Sequence, residues 1–198
     1  NSVPPATTQD GKACVFKCGY DVTDFAYEIH AMRAYNGNGC VRLLDASVEQ
    51  AWLVSERCLP GTQLSAIKND DKTTRVIVDV MQRLQRPIPD SLQTRSCERW
   101  LNALENLHTN ERAKQLTTKK FRDTAIGLCD ELLASCEPYV LLHADLHHDN
   151  VLLHEGDYLA IDPRGLLGEP MYDVGSMLRN PIAKLPHWDI KKITQRRL

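Results

Sequence analysis

The sequence lacks the features that would place it in a membrane or in an oxidising compartment. No apolar stretch approaches the length of a membrane span, and the first residues, NSVPPATTQDGKA, lack the apolar core of a signal peptide. The seven cysteines form an odd set without a CxxC pair, so we expect reduced and mostly buried thiols. These absences predict a cytoplasmic protein with no membrane partner.

A strong charge of either sign is also missing. The chain carries 24 Lys and Arg residues against 26 Asp and Glu residues, and the formal net charge of −2 offers no basic surface for nucleic acid. The one basic run, at 191–197, predicts a solvated helix face. With 198 residues, of which 42% are hydrophobic, the chain is long enough for one domain, or two small ones, with a buried core.

Signatures of a zinc site are absent as well. No HExxH and no paired-cysteine spacing accompanies the histidines and carboxylates that cluster between His143 and Asp173. His147 and His148 are adjacent, so on a strand their side chains would point to opposite faces. A metal-dependent hydrolase that uses this cluster is disfavoured but stays an open alternative, and it would predict hydrolysis of an ester or phosphate without ATP.

What the sequence does contain is a dense polar motif at 140–170, VLLHADLHHDNVLLHEGDYLAIDPRGLLGEP. Apolar runs at 139–142 and 151–153 flank its first polar loop and predict a strand on each side of that loop. Glu-Gly-Asp at 155–157 has the chemistry of a tight turn, and an apolar run at 158–161 follows it. The pattern predicts a β-hairpin whose open end presents polar side chains.

Three polar residues at the ends of these strands form a candidate catalytic and metal site. Asp145 and Asn150 lie in the loop before the hairpin, and Asp162 follows the returning strand. Their oxygens would converge as the hard ligands that Mg²⁺ prefers beside phosphates. The spacing of Asp145 and Asn150 is that of the kinase catalytic loop, in which the Asp takes the hydroxyl proton and the Asn holds a metal.

The motif HADLHHDN followed by AIDPRG resembles the catalytic and metal motifs of the aminoglycoside phosphotransferase superfamily. The stretch IDPRGLLGEPMYDVGSMLRNP is most similar to the branch with streptomycin phosphotransferases and hydroxyurea kinases. The resemblance implies an α+β, protein-kinase-like fold with two lobes. The N-lobe, 1–59, would be a small antiparallel sheet with one helix, and the C-lobe, 60–198, would be mainly helical and carry the catalytic hairpin.

The same resemblance implies a role for each residue of the site. Asp145 would be the catalytic residue, and Asn150 and Asp162 would bind Mg²⁺. The cofactors would be ATP and Mg²⁺, and the partner would be a small molecule with a hydroxyl group that accepts the phosphoryl group.

Four further polar residues lie within the motif or just after it. By resemblance, His143 is a scaffold residue that hydrogen-bonds the loop backbone, and Asp173 braces the same backbone. Asp173 is also a candidate N-cap of a helix at 174–179. Arg164 could contact phosphate or could equally be a solvent-exposed loop residue, and Glu169 is a candidate contact for a cationic substrate.

The chain before the motif predicts a sheet and one helix. Strands are predicted at 13–18, 41–45 and 51–56, and a helix is predicted at 24–35. Lys17 on the first strand and Glu28 on the helix match the pair that positions the nucleotide phosphates in kinases. Without the downstream motif, a lysine near the end of an apolar strand would fit a snorkelling surface charge equally well.

Residues 56–61, ERCLPG, leave this sheet through a Pro-Gly turn. By resemblance they form the hinge between the lobes, where the backbone of Glu56 and Cys58 would contact the adenine. An ordinary strand-to-helix turn predicts the same residues, so that interpretation stays open. Helices are then predicted at 72–85, 97–107 and 117–136, with apolar stripes that predict a helical core.

The resemblance also implies parts that the sequence does not show. A kinase of this type would carry a Gly-rich loop before the lysine strand, and residues 1–12 contain no such pattern. Further helices would be expected after Leu198, so we expect a chain that is truncated at both ends. Two hypotheses follow: a kinase for an aminoglycoside, a hydroxyurea-like compound or a metabolite, and a catalytically inactive nucleotide-binding module.

Overall fold

The computed structural model describes residues 4–87, 92, 94–96, 106–135, 139–181 and 189–198. Within these ranges the strands are β1 (Pro5–Thr7), β2 (Ala13–Cys18), β3 (Leu43–Ser47), β4 (Trp52–Glu56), β5 (Pro60–Gln63), β6 (Arg95–Ser96), β7 (Val140–Leu142), β8 (Val151–His154), β9 (Asp157–Ala160) and β10 (Leu166–Gly168). The helices are α1 (Val22–Tyr35), α2 (Asp70–Leu84), α3 (Glu111–Leu116), α4 (Lys119–Ser135), α5 (Tyr172–Leu178) and α6 (Ile190–Arg197). Short 3-10 turns lie at Leu64–Ala66, Asn106–His108 and His148–Asn150. The α+β fold predicted from the sequence is confirmed.

The N-lobe contains an antiparallel sheet with the strand order β1-β2-β4-β3. Because β2 lies between β1 and β4, Lys17 is not on an edge strand, and only 5% of its surface is exposed. Helix α1 begins where the Asp21 carboxylate accepts hydrogen bonds from the N–H groups of Thr23 and Asp24. Its buried apolar side chains recur at helical spacing: Phe25, Ile29, Met32 and Tyr35.

The predicted catalytic hairpin consists of β8 and β9, which pair from Val151 with Ala160 to His154 with Asp157. The two turn residues, at 155–156, have φ values of 50° and 91°. Positive φ at both positions is the geometry of a type I′ turn, whose twist matches that of the strands. Strand β5 pairs with β8, so the chain enters the hairpin's sheet directly after the predicted hinge. A third sheet has the order β6-β10-β7.

Helix α2 fastens the hairpin to the core. It begins after Asn69, whose side chain accepts a hydrogen bond from the Lys72 N–H, and therefore starts earlier than the sequence predicted. From its last turn, Arg83 donates to the Asp157 carboxylate at 2.8 Å and to the Tyr158 carbonyl oxygen at 2.6 Å. The face towards the core buries Ile77, Val80, Met81 and Leu84.

The prediction that the apolar stripe of helix α4 belongs to the core is wrong. The exposed fractions of Phe121, Leu128 and Leu132 are 60%, 53% and 57%. Helical periodicity shows that such side chains share a face, but it does not show whether another element covers that face. Of the helix predicted at 97–107, most lies outside the described residues.

Two properties of the described ranges concern the cysteines and the hydropathy of the helices. Their cysteines, at positions 14, 18, 40, 58 and 129, are free thiols. None of the helices described there combines the length and the hydropathy that crossing a bilayer requires.

Candidate active site

An ion triad connects the two lobes: Lys17 and Glu28 are buried, and Asp162 is half-exposed. The Lys17 ammonium lies 2.6 Å from Glu28 Oε1 on α1 and 3.1 Å from Asp162 Oδ1, which follows β9. Burial by itself would lower the pKa of Lys17, but the carboxylates of Glu28 and Asp162 outweigh it and hold that pKa above its ordinary value. Lys17 is therefore a fixed positive charge where the strand, the helix and the hairpin meet.

Backbone hydrogen bonds hold Asn150 beside Asp162. The Ile161 N–H donates to the Asn150 carbonyl oxygen at 2.9 Å. The Asn150 Nδ2 donates to the Asp145 carbonyl oxygen at 3.0 Å, so the side-chain oxygen of Asn150 is the atom that could bind a cation. An amide oxygen next to a carboxylate fits a hard divalent cation that takes its other ligands from water and phosphate.

A zinc site of the usual composition has no counterpart in the part of the chain that the structure describes. There, no group of three His, Cys, Asp or Glu side chains is arranged to hold a metal ion. The hydrolase alternative therefore gains no support from the described side chains.

The loop that carries Asp145 is fastened by two buried residues. The Asp173 carboxylate accepts hydrogen bonds from the backbone N–H groups of His143, at 3.1 Å, and Ala144, at 2.6 Å. The His143 ring accepts the Asp145 N–H at Nδ1, at 3.2 Å, and its Nε2 lies 2.8 Å from the Ile161 carbonyl oxygen. These partners assign the proton to Nε2. One imidazole thus ties the catalytic loop to the end of the hairpin.

Burial controls the protonation of this pair. It lowers the pKa of His143 to about 4, so the ring is neutral at neutral pH. It raises the pKa of Asp173 to about 7, although the two backbone N–H groups favour the charged carboxylate.

The alternative that Asp173 caps a helix is wrong, whereas the role that the resemblance implied, a brace of the catalytic-loop backbone, matches the observed hydrogen bonds. Helix α5 begins at Tyr172, its N-cap position is Met171, and Asp173 lies in its first turn. The carboxylate turns instead towards the catalytic loop, because the buried N–H groups of that loop need an acceptor.

Two basic side chains flank the Asp145 carboxylate. Arg164 Nη2 and Nε lie 3.2 Å and 3.3 Å from its Oδ2, and His147 Nε2 lies 3.9 Å from its Oδ1. Arg164 was predicted either to contact phosphate or to be a solvent-exposed loop residue. It is ion-paired with Asp145, and 48% of its side chain is still exposed. The Arg164–Asp145 ion pair therefore places a half-exposed guanidinium next to the Asp145 carboxylate.

Two adjoining cavities share the ion triad. The apolar cavity has a volume of about 260 Å³, and its lining includes Val15, Val41, Leu53 and Leu152. The polar cavity has a volume of about 410 Å³, and its lining includes Asp24, Asp145, Asn150 and Arg164. Lys17, Glu28 and Asp162 line both cavities.

The predicted hinge residues border the apolar cavity. Glu56 and Cys58 both line it. The Glu56 N–H donates to the Arg42 carbonyl oxygen at 2.9 Å, so that group is used within the N-lobe. Burial raises the pKa of the Cys58 thiol to about 11, which keeps it protonated at neutral pH. Backbone contacts of these residues with adenine stay a prediction.

Glu169 lies apart from the triad. It lines neither of the two cavities. Its Oε1 accepts the Met171 N–H at 3.0 Å, and its carbonyl oxygen accepts the Tyr172 N–H at 3.0 Å. These bonds organise the turn that leads into α5, and the structure does not bring Glu169 to the predicted substrate site.

Arg95 lines the polar cavity, although no sequence pattern pointed to it. Its Nη1 lies 2.7 Å from Asp24 Oδ1 on α1, and its guanidinium lies over the Tyr27 ring, 4.9 Å from the centroid. A strand of two residues has no periodicity to detect, so its position depended on the tertiary fold.

Known proteins have sequences similar to that of this chain. A streptomycin 6-kinase from Streptomyces griseus is 30% identical over 180 residues, which cover 87% of this chain and 56% of that protein. A hydroxyurea phosphotransferase from Kitasatospora aureofaciens is 32% identical over 184 residues, which cover 90% of this chain and 53% of that protein. The chain thus spans about half the length of these relatives.

The fold occurs among solved structures as well. An amicoumacin kinase in complex with AMP-PNP, Ca²⁺ and Ami matches with a TM-score of 0.69 at 18% identity, over 98% of this chain and 67% of that one. The profile of the aminoglycoside/hydroxyurea antibiotic resistance kinases matches residues 1–198. The chain therefore belongs to the family of aminoglycoside/hydroxyurea antibiotic resistance kinases.

Proposed function

We propose that this chain belongs to an enzyme that transfers a phosphoryl group from ATP to a hydroxyl group of a small molecule. The observation that carries the proposal is the ion triad at the junction of an apolar and a polar cavity, with Asp145 in the polar one. An apolar cleft suits a nucleobase, and a fixed ammonium suits its phosphates. A carboxylate in the adjoining polar cavity suits an acceptor hydroxyl.

Phosphoryl transfer depends mainly on positioning and charge neutralisation. In this proposal Lys17 contacts the α- and β-phosphates, and Glu28, at 2.6 Å, fixes the direction of the ammonium. Asn150 and Asp162 would hold Mg²⁺, which supplies positive charge to the phosphate oxygens when it is bound.

Asp145 would act on the acceptor. Its carboxylate orients the acceptor hydroxyl and takes the proton late in the transfer. The His143 ring accepts the Asp145 N–H and the Asn150 amide donates to the Asp145 carbonyl oxygen, so the backbone that carries this carboxylate is held in place. Arg164, already paired with Asp145, would add positive charge near the transferred phosphoryl group.

The relatives suggest the class of acceptor. Two of them carry the names of streptomycin and hydroxyurea kinases, and we propose an aminoglycoside or a related antibiotic-like compound. We also propose a cytoplasmic location, where ATP is available. The boundary between the lobes is proposed near residue 59, because the chain passes there from the first sheet to the sheet of the hairpin.

The test is a phosphotransfer assay on the full-length protein with MgATP and a panel of hydroxylated acceptors that includes streptomycin and hydroxyurea. We expect ADP release that depends on an acceptor, with a phosphorylated product detected by mass spectrometry. Asp145→Asn should lower kcat by on the order of 10³-fold, because a positioned base is lost. Asp162→Ala should abolish turnover, whereas Asp79→Asn, on the exposed face of α2, should not change it.

Each other result has a definite meaning. Unchanged turnover in Asp145→Asn would refute the assignment of the base. Nucleotide binding in a thermal-shift titration, without turnover for any acceptor, would support the inactive binding module. Ester or phosphate hydrolysis without ATP, together with stoichiometric zinc, would support the hydrolase.

A further inference from the structure

Gly165 makes an unusually close backbone contact with helix α1. A Cβ atom placed on it would lie 2.6 Å from the Tyr27 carbonyl oxygen and 2.8 Å from the Ala31 Cβ. Both atoms belong to the helix that carries Glu28. Gly156, which also has a positive φ, would place a Cβ with no atom within 4 Å.

Backbone conformation alone does not require glycine at position 165. Its φ is 61°, and Ala144 in the same protein has a φ of 64°. An alanine is therefore accommodated elsewhere in the chain at nearly the same angle. What distinguishes Gly165 is the helix that lies against it.

The loop around Gly165 has little room to move away from α1. The Arg164 N–H donates to the His143 carbonyl oxygen at 2.8 Å, and the Thr94 hydroxyl donates to the Gly165 carbonyl oxygen. A side chain at position 165 would therefore push mainly on the helix. The helix would have to retreat by about 0.8 Å to turn the 2.6 Å distance into an ordinary contact of 3.4 Å.

We propose that Gly165 is a positioning residue: the absence of a side chain lets α1 approach the metal loop closely enough for Glu28 to hold Lys17 beside Asp162. The proposal rests on the proposed kinase function. Glu28 follows Tyr27 directly in α1, so a retreat of the Tyr27 carbonyl carries Glu28 with it. A retreat of about 0.8 Å would lengthen and weaken the Lys17–Glu28 contact, which is 2.6 Å.

Gly165→Ala and its matched control Gly156→Ala separate packing from backbone strain. Gly156 has the larger φ, 91°, so the control carries at least as much strain but no close contact. We expect Gly165→Ala to lower kcat/KM for MgATP by on the order of 10²-fold, because a misplacement near 1 Å disrupts a positioned site. Its Kd for MgADP should rise about tenfold, while its Kd for adenosine, which lacks phosphates, stays within twofold. Gly156→Ala should stay within threefold of wild type in all three.

A second variant covers the case in which Gly165→Ala does not fold. Ala31→Val crowds the same contact from the helix side, and it should weaken MgADP but not adenosine. Equal behaviour of Gly165→Ala and Gly156→Ala would overturn the proposal, as would unchanged MgADP affinity in Ala31→Val. A wild-type protein without phosphotransfer would instead refute the proposed function, since the nucleotide-binding measurements do not need turnover.

Discussion

The two cavities of the site differ in chemistry although they share three residues. The apolar cavity is lined by apolar side chains of the N-lobe sheet and of β8, and besides the shared residues its charged lining is Glu56 and Arg57. The polar cavity is built by the loops on either side of the hairpin and by the start of α1, and it offers fixed charges. Lys17, Glu28 and Asp162 form the wall between them.

This difference predicts that the two cavities affect different kinetic constants. Apolar surface binds the ground state and the transition state equally, so changes in that cavity should alter KM. Charges directed at a developing phosphoryl group act most in the transition state, so changes in the polar cavity should alter kcat. The shared wall should affect both.

The largest expected effect comes from the shared wall. Lys17→Met combined with Glu28→Gln removes the ion pair without leaving a buried charge, and it should lower kcat/KM for MgATP by on the order of 10³-fold. Adenosine affinity should stay within about threefold, because the apolar lining is intact. Lys12→Met, which removes an exposed ion pair with Asp10, serves as the control and should have no effect. Equal losses of affinity for adenosine and for MgADP would contradict the prediction that the two cavities have different roles.

A second test concerns the buried support of the polar cavity. The folded pKa of His143, about 4, lies below its ordinary 6.5, so the unfolded chain takes up the proton first as the pH falls. Its contribution to stability is complete above about pH 6.5 and is lost towards about pH 4, a difference of about 3 kcal/mol. Asp173 acts in the opposite sense, because its raised pKa stabilises the fold as the pH falls from about 7.

Comparison with a His143 variant separates the contribution of this histidine to stability from that of Asp173. Urea unfolding of wild type and His143→Gln across this pH range should show wild type losing about 3 kcal/mol more than the variant on acidification. The glutamine amide retains a donor for the Ile161 carbonyl oxygen. Parallel pH profiles would show that His143 is not buried as a neutral ring.

The smallest effect is expected in the apolar cavity. Leu152 lines it, and the next residue of β8, Leu153, does not, because successive side chains of a strand point to opposite faces. Leu152→Ala should raise KM for ATP by on the order of tenfold, the equivalent of about 1.5 kcal/mol of lost apolar contact, with kcat within twofold. Leu153→Ala should leave KM for ATP unchanged. A fall in kcat for Leu152→Ala would mean that the apolar cavity also positions the phosphates.

The parts of this site that sequence could predict are local. The hairpin follows from two short apolar runs around a Glu-Gly turn, and its register alone brings Asn150 next to the end of β9. The helix that carries Glu28 follows from periodicity, although it begins at Val22, earlier than predicted, because Asp21 caps it there. Such features depend on neighbours a few residues away, which a linear pattern contains.

The features that the sequence did not predict depend on residues that are far apart in the chain. The local pattern makes Asp173 a candidate helix cap, but its carboxylate accepts N–H groups of a loop about 30 residues earlier in the chain, the role that only the family resemblance implied. Arg95 reaches Asp24 across the lobes, and the stripe of α4 is apolar yet exposed. In each case the outcome depends on residues that lie far away in sequence, where composition and spacing carry no information.

By itself, therefore, the sequence determined the hairpin and the order of Asp145, Asn150 and Asp162, because turn chemistry and strand alternation act over short distances. The α+β class followed from the family resemblance that this motif carries. Only the tertiary structure decided that Lys17 is buried between two carboxylates, that one wall divides two cavities, and that Gly165 lies against α1. Burial and close approach are properties of packed elements, and packing joins residues that the chain itself keeps apart.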